Sequence, residues 1–242
     1  MFRDIWQGVK WVFRGVAEFY RHPRLWRFIA VPLALVLVIY GWLFYATLMV
    51  WMPQMLTAVR EFFADTWFEF LGSWVGFFIK LGCYLGLGVL TAFFAGNVFE
   101  VLGGFCFSRM VRDYEIRILH REVVDLPISV QMRNLAERGL FSLVTILLYA
   151  ALFIAGFFVP WIVPPVMMVL IGYRYAVIYA SEAVFHSGHR LDEIGILYRK
   201  RSGLLYGFGS MAFLIFLLPL LPIFLIPGLV IGGTLMYHHR KD

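Results

Sequence analysis

Charge is what this chain has least of. Only 15% of its 242 residues are Asp, Glu, Lys or Arg, against about 25% in ordinary soluble domains. A chain so poor in charge cannot wet its whole surface, which excludes a conventional water-soluble domain. Cysteine is almost absent. Cys83 and Cys106 stand 23 residues apart in one apolar run. On a single helix that spacing is about 35 Å, so the pair forms no bridge within the chain. Catalytic signatures are missing too. There is no phosphate-cradling glycine loop, no nucleophile elbow, no zinc-protease motif and no pair of aspartates inside an apolar run. The chain is read as a non-enzyme without cofactor. His186 and His189, three apart beside Asp192 and Glu193, are too weak a pattern for a metal site, and none is assigned. His238 and His239 read as solvated tail residues. A cleavable secretory signal is also missing, because residues 1–27 are amphipathic rather than apolar.

What the chain has in abundance is long apolar sequence. Hydrophobic residues make up 62% of it, and its mean hydropathy is +0.80. Several runs exceed 18 residues, the length of a membrane-spanning helix. The expected fold is an all-α integral membrane protein forming one domain over residues 1–242. The basic excess of +6 then belongs to anionic headgroups and membrane orientation, and nucleic acid is excluded as a partner.

Residues 1–27 carry a helical stripe, with Ile5, Val9, Val12, Val16 and Phe19 at spacings of four and three. Arg3, Gln7, Lys10, Arg14 and Glu18 occupy another face. This is the pattern of an amphipathic helix lying in the headgroup region, or of one packed on other protein. Residues 28–107 hold two long spanning helices. The first runs over 28–50, and residues 52–69 are expected as an exterior loop. The second apolar run, 71–107, contains no proline and predicts one continuous helix longer than a bilayer core. Gly72, Gly76, Gly82 and Gly86, continued by Thr91, Ala92, Ala95 and Gly96, form a small-residue surface on it. That surface is the expected site of close helix packing.

Residues 108–139 are polar, with Asp113 and Arg117 at the i,i+4 spacing that continues the helix past the membrane. Leu126-Pro127 ends it. Residues 140–180 form a first apolar hairpin, broken by Pro160, Pro164 and Pro165. A polar segment follows over 181–202. The second hairpin covers 203–237, and residues 238–242 are the tail. Its stretch from Tyr206 to Tyr237 has no charge but is interrupted by Pro219, Pro222 and Pro227. Only 13 apolar residues precede Pro219, fewer than the roughly 20 a straight span needs. Both hairpins are therefore expected to dip into the bilayer and return. If they do, 18 of the 21 basic residues fall on one side, and Arg60 alone stands on the other. The positive-inside rule then places both termini in the cytoplasm.

Three elements carry a resemblance. They are the proline-started motif His22-Pro23-Arg24-Leu25-Trp26-Arg27-Phe28, the two long helices with two proline-broken hairpins, and the ending Pro219-Leu220-Leu221-Pro222-Ile223-Phe224-Leu225-Ile226-Pro227 followed by Gly232-Gly233-Thr234. This layout resembles the CysZ-like sulfate permeases. The resemblance implies a multi-pass protein of the bacterial inner membrane that handles sulfate or a related small oxyanion, assembles as a homo-oligomer and contacts membrane lipids. In that family a Pro-Gly-Leu-Arg-Arg-Phe motif is associated with sulfate. Leu25 and Arg27 match its leucine and second arginine, while Arg24 stands at the glycine and Trp26 at the first arginine.

The anion-binding candidates are accordingly Arg24, Leu25 and Arg27. Arg24 and Arg27 share a helix face beside a proline-started helix N-terminus, where free N–H groups and the helix dipole favour anions. Arginine's planar fork suits tetrahedral oxyanions. The alternative is an arginine girdle on phospholipid phosphates. Within the apolar runs lie Lys80, Glu100 and Arg174. Lys80 is positioned to snorkel. Glu100 and Arg174 form a candidate intramembrane polar pair, serving either packing or an ion path. Two functions remain: passive or gradient-driven uptake of an oxyanion, or a non-transporting scaffold or lipid-interacting protein on the same fold.

Overall fold

A computed structural model describes residues 1–64, 69–123, 128–159, 161–190, 193–218 and 220–239. Leu126, Pro127, Pro160, Asp192 and Pro219, named in the sequence analysis, lie outside them, as do the last three residues of the tail. The described residues are helical, with no strand. The helices are α1 (Phe2–Arg21), a 3-10 turn (Pro23–Trp26), α2 (Arg27–Tyr45), a π-helical stretch (Ala46–Trp51), α3 (Met52–Phe63), α4 (Glu69–Arg117), α5 (Ile128–Gly156), α6 (Val163–His186), α7 (Ile194–Leu197), α8 (Ser202–Phe216) and α9 (Leu221–His238). Among the described residues, four segments are long and apolar enough to cross a membrane: Pro23–Phe63, Leu71–Gly88, Val163–His186 and Leu221–His238.

The first spanning helix does not stop at residue 50. It passes through the π stretch into α3, so the expected exterior loop is helical as far as Phe63. The π stretch ends two residues before Pro53. Pro53 lacks an N–H and crowds the preceding turn, and a widened turn accommodates that without ending the helix. The 49 residues of α4 rise roughly 74 Å and are unbroken, as the proline-free run predicts. α2 and α3 run antiparallel along α4, and most of this rod is exposed.

The core lies elsewhere, where α1, α6, α8 and α9 meet at the C-terminal half of α4. Phe208, Tyr179, Ile171, Leu229, Met236 and Met110 are fully buried there. The apolar stripe of α1 is partly occupied by protein. Gly8, Val12, Gly15 and Phe19 are buried against α8 and α9. Phe2, Trp6, Phe13 and Tyr20 on a neighbouring face stay exposed, with Arg3, Lys10 and Arg14 beside them. The helix thus has a protein face and a free amphipathic face.

Glycine makes the tight contacts, though not where the sequence led us to expect them. A Cβ on Gly15 would meet the backbone of Gly228 and Gly232, and one on Gly207 would meet the Ile5 carbonyl. Gly209 of α8 and Gly172 of α6 touch backbone to backbone, and Gly233 of α9 meets the Tyr179 carbonyl. On α4, Gly82 and Gly86 face open space, while Gly72 and Gly76 lie against Phe63 and Leu56 of α3 and Gly96 is closely covered by Pro222. The small-residue stripe of α4 is therefore partnered at both ends, by α3 and by α9, and open in its middle at Gly82 and Gly86.

Both hairpin turns are apolar and exposed. Phe157, Phe158, Trp161 and Ile162 cap the first, and Leu217, Leu218, Leu220 and Phe224 the second. Leu220 sits at φ 63°, a left-handed conformation that a branched side chain adopts only under constraint. Pro222 at the second position of α9 fits the helix start without loss of a hydrogen bond.

Candidate functional site

The proline-started motif builds a tight turn between α1 and α2. His22 ends α1, its ring Nδ1 donating to the Glu18 carbonyl at 2.8 Å. Pro23 opens the 3-10 turn, and the Leu25 N–H donates to the His22 carbonyl at 2.9 Å. Leu25 is buried. Its N–H is thus spent inside the turn, and its part is to hold the motif in shape. Trp26 stacks on Phe19 and meets Tyr20 edge-on. Arg24 is exposed and makes no ion pair among the described residues.

Arg27 faces the end of α4. Its Nη2 donates to Asp113 Oδ1 at 3.3 Å, and its guanidinium lies 4.7 Å from the Phe28 ring centroid. Arg117 Nε reaches the same Asp113 oxygen at 2.8 Å. The expected Asp113–Arg117 pair is present and is shared with Arg27. Two guanidiniums therefore converge on one carboxylate oxygen beside the start of the first spanning helix.

Arg174 reaches across to α5. Its Nη2 donates to the Phe141 carbonyl at 2.6 Å, and its guanidinium lies 3.9 Å from the Phe141 ring centroid. It ties α6 to α5. Glu100 lies half-buried on α4. Lys80 is exposed on the same helix.

One cluster escaped the sequence reading. Glu115, two residues beyond Asp113, is buried at the core side of α4. Its Oε2 accepts from His186 Nδ1 at 2.6 Å and its Oε1 from His238 Nε2 at 2.7 Å. Ser108 Oγ lies 3.4 Å from the other nitrogen of His186. One carboxylate thus clips the C-terminal ends of α6 and α9 to α4. Burial pushes the Glu115 pKa up, but the hydrogen bonds and charge of the two histidines outweigh it and hold the carboxyl below its usual range. The tail histidines are therefore not solvated. His238 is in this clip, and His239 donates to the Leu235 carbonyl at 2.9 Å with its ring against Trp11. His189 pairs separately with Glu193 at 2.7 Å, so His186 and His189 do not converge.

Further polar contacts join the remaining segments. Arg190 reaches Glu137, closing the ends of the first hairpin. Arg201 meets Asp4 and Gln7, joining the start of the second hairpin to α1. No curated protein sequence matches the chain. A family profile, described as Sulfate transporter CysZ/Etoposide-induced protein 2.4, matches residues 11–227. That match spans most of the chain, from α1 into α9, and takes in the arginine motif, the long helices, the whole of α5, α6 and α8 and the start of α9: this protein belongs to the Sulfate transporter CysZ/Etoposide-induced protein 2.4 family.

Proposed function

We propose that this protein is a permease for sulfate or a related small tetrahedral oxyanion. It would act in the bacterial inner membrane as a multi-pass homo-oligomer, by a passive or gradient-driven route. The observation that carries the reading is the convergence of Arg27 and Arg117 on one oxygen at the mouth of α2. Such a pair offers forked donors to a dianion, and Arg24 adds a third guanidinium in the adjoining turn. Family membership supplies the substrate class. Glu100 and Arg174 are proposed as an intramembrane polar pair, serving packing or an ion path. The test is uptake of radiolabelled sulfate into proteoliposomes. Protein-dependent uptake that unlabelled sulfate suppresses supports a permease, and uptake equal to protein-free vesicles counts against it.

The hairpins are proposed to penetrate half the bilayer and return. α8 has 15 residues, a rise of about 22 Å, too short for a 30 Å hydrocarbon core. The exposed apolar tips suit lipid, and the Glu115 clip and the Arg190–Glu137 pair favour hairpin ends that lie on one side. With the basic residues concentrated there, both termini face the cytoplasm. In intact spheroplasts, an impermeant thiol reagent is expected to leave a cysteine appended at the C-terminus unlabelled until the membrane is opened. Equal labelling before and after opening would refute a single orientation.

A second reading has its own observation. The free face of α1 sets Phe2, Trp6 and Phe13 beside Arg3, Lys10 and Arg14, a pattern that fits a lipid-headgroup surface. On that reading the protein is a non-transporting, lipid-interacting scaffold, indifferent to changes at Arg27.

A further inference from the structure

We propose that Asp113 is a tethered competitor for the transported anion, occupying the guanidiniums until an oxyanion displaces it. The inference rests on the reading of Arg27 as an anion contact. A single carboxylate oxygen receives Arg27 Nη2 at 3.3 Å and Arg117 Nε at 2.8 Å. Two arginines would take the same arrangement around one oxygen of a tetrahedral dianion. Asp113 thus stands in for substrate with an oxygen that belongs to the chain.

The two halves of this contact differ. Arg117 lies one turn from Asp113 on α4, so that pair is held by the helix itself. The Arg27 contact crosses from the start of α2 to the end of α4, is the longer of the two, and has an arginine side chain 57% exposed. The Asp113 side chain is only 15% exposed, but on the arginine side the pair is open to solvent, which weakens it, so this is the contact that yields first. Arg27 keeps its position when it does, because its guanidinium also lies against the Phe28 ring. The Arg117 side chain is 59% exposed, so both arginines still have surface open to solute. Arg24 is exposed in the same turn. Removing the Asp113 charge leaves these cations facing solvent with one less neutralising group, and an incoming dianion no longer has to break a bond to enter.

The test is equilibrium binding of radiolabelled sulfate to the purified full chain by scintillation proximity at fixed ionic strength. It compares the native protein with Asp113→Asn, Arg27→Ala and the double variant. Asp113→Asn is expected to bind sulfate about fivefold more tightly, the size of the weak pair it removes. Arg27→Ala is expected to abolish binding in either background. If Asp113→Asn binds no better than native while Arg27→Ala still abolishes binding, Asp113 positions Arg27 and the inference is overturned. If Arg27→Ala binds like the native chain, the anion reading fails, and the inference fails with it. Asp113→Ser is measured alongside. Loss of the folded species in both Asp113 variants would assign the residue a structural role and equally overturn the proposal.

Discussion

Replacing Glu115 with Ala is expected to lower stability by roughly 3–5 kcal/mol, the usual loss when one partner of a buried ionic hydrogen-bonded set is removed. Loss of folded protein on heating, followed by fluorescence-detected size exclusion, should shift down by on the order of 10 °C. The size of the effect follows from where Glu115 sits. Its side chain is 2% exposed, and those of both histidines are 8%, so no water replaces the lost bonds. The variant would also free the ends of two helices at once. Glu115→Gln keeps one acceptor and should lose less. The sign with pH is fixed by the carboxyl. Its folded pKa is depressed, so its charge stabilises the protein fully above the ordinary value of 4.5 and ceases to do so as pH falls through the lower folded value. The gap between native and Glu115→Ala should therefore hold from neutral pH down to about 4.5 and close below it. An alanine variant as stable as native at pH 7 would show that the clip is incidental.

Gly209→Val should be equally damaging for a steric reason. The added Cβ would lie against the Gly172 carbonyl, which is backbone and cannot swing aside. Overpacking usually costs about 1–3 kcal/mol and more when the neighbour cannot yield. Here α6 and α8 would have to separate, and we expect at least about 3 kcal/mol and little monodisperse protein. Gly86→Ala is the contrasting change. Nothing lies within 4 Å of a Cβ there, and alanine favours helix by about 0.5–1 kcal/mol. Heat-challenged size exclusion of the two variants should thus move in opposite directions. Equal behaviour would mean that the backbone contact between α6 and α8 does not limit stability.

These two predictions mark where the sequence was legible. The length of α4 could be read from an apolar run without proline, and the Asp113–Arg117 pair from spacing alone. The proline clusters marked the breaks between α5 and α6 and between α8 and α9. The tight glycine contacts did not follow. Gly203 and Gly207, or Gly228 and Gly232, have the same four-residue spacing as Gly82 and Gly86, which face open space. Spacing does not say which stripe finds a partner. The exterior loop expected over residues 52–69 is instead helical as far as Phe63, because a π stretch lets the helix pass Pro53. Glu115 and His238 were hidden for another reason. Each lies in a polar segment of arginines and histidines that reads as solvated, and 123 residues separate them. Only the return of α9 alongside α4 brings them together, with Gly96 beside Pro222 near one end and Glu115 beside His238 at the other. The candidate site was half legible. Arg27 was found from its motif, but its partner Asp113 lies across the fold.

The most direct measurement is sulfate uptake by proteoliposomes holding native protein or Arg27→Ala at matched reconstitution. An anion permease entered at the α2 mouth predicts saturable uptake by the native chain and a loss of tenfold or more in the variant, the scale on which a charge-assisted contact of about 1.4 kcal/mol or more acts. Equal uptake by the two would contradict the site, and no uptake by either folded protein would contradict the permease.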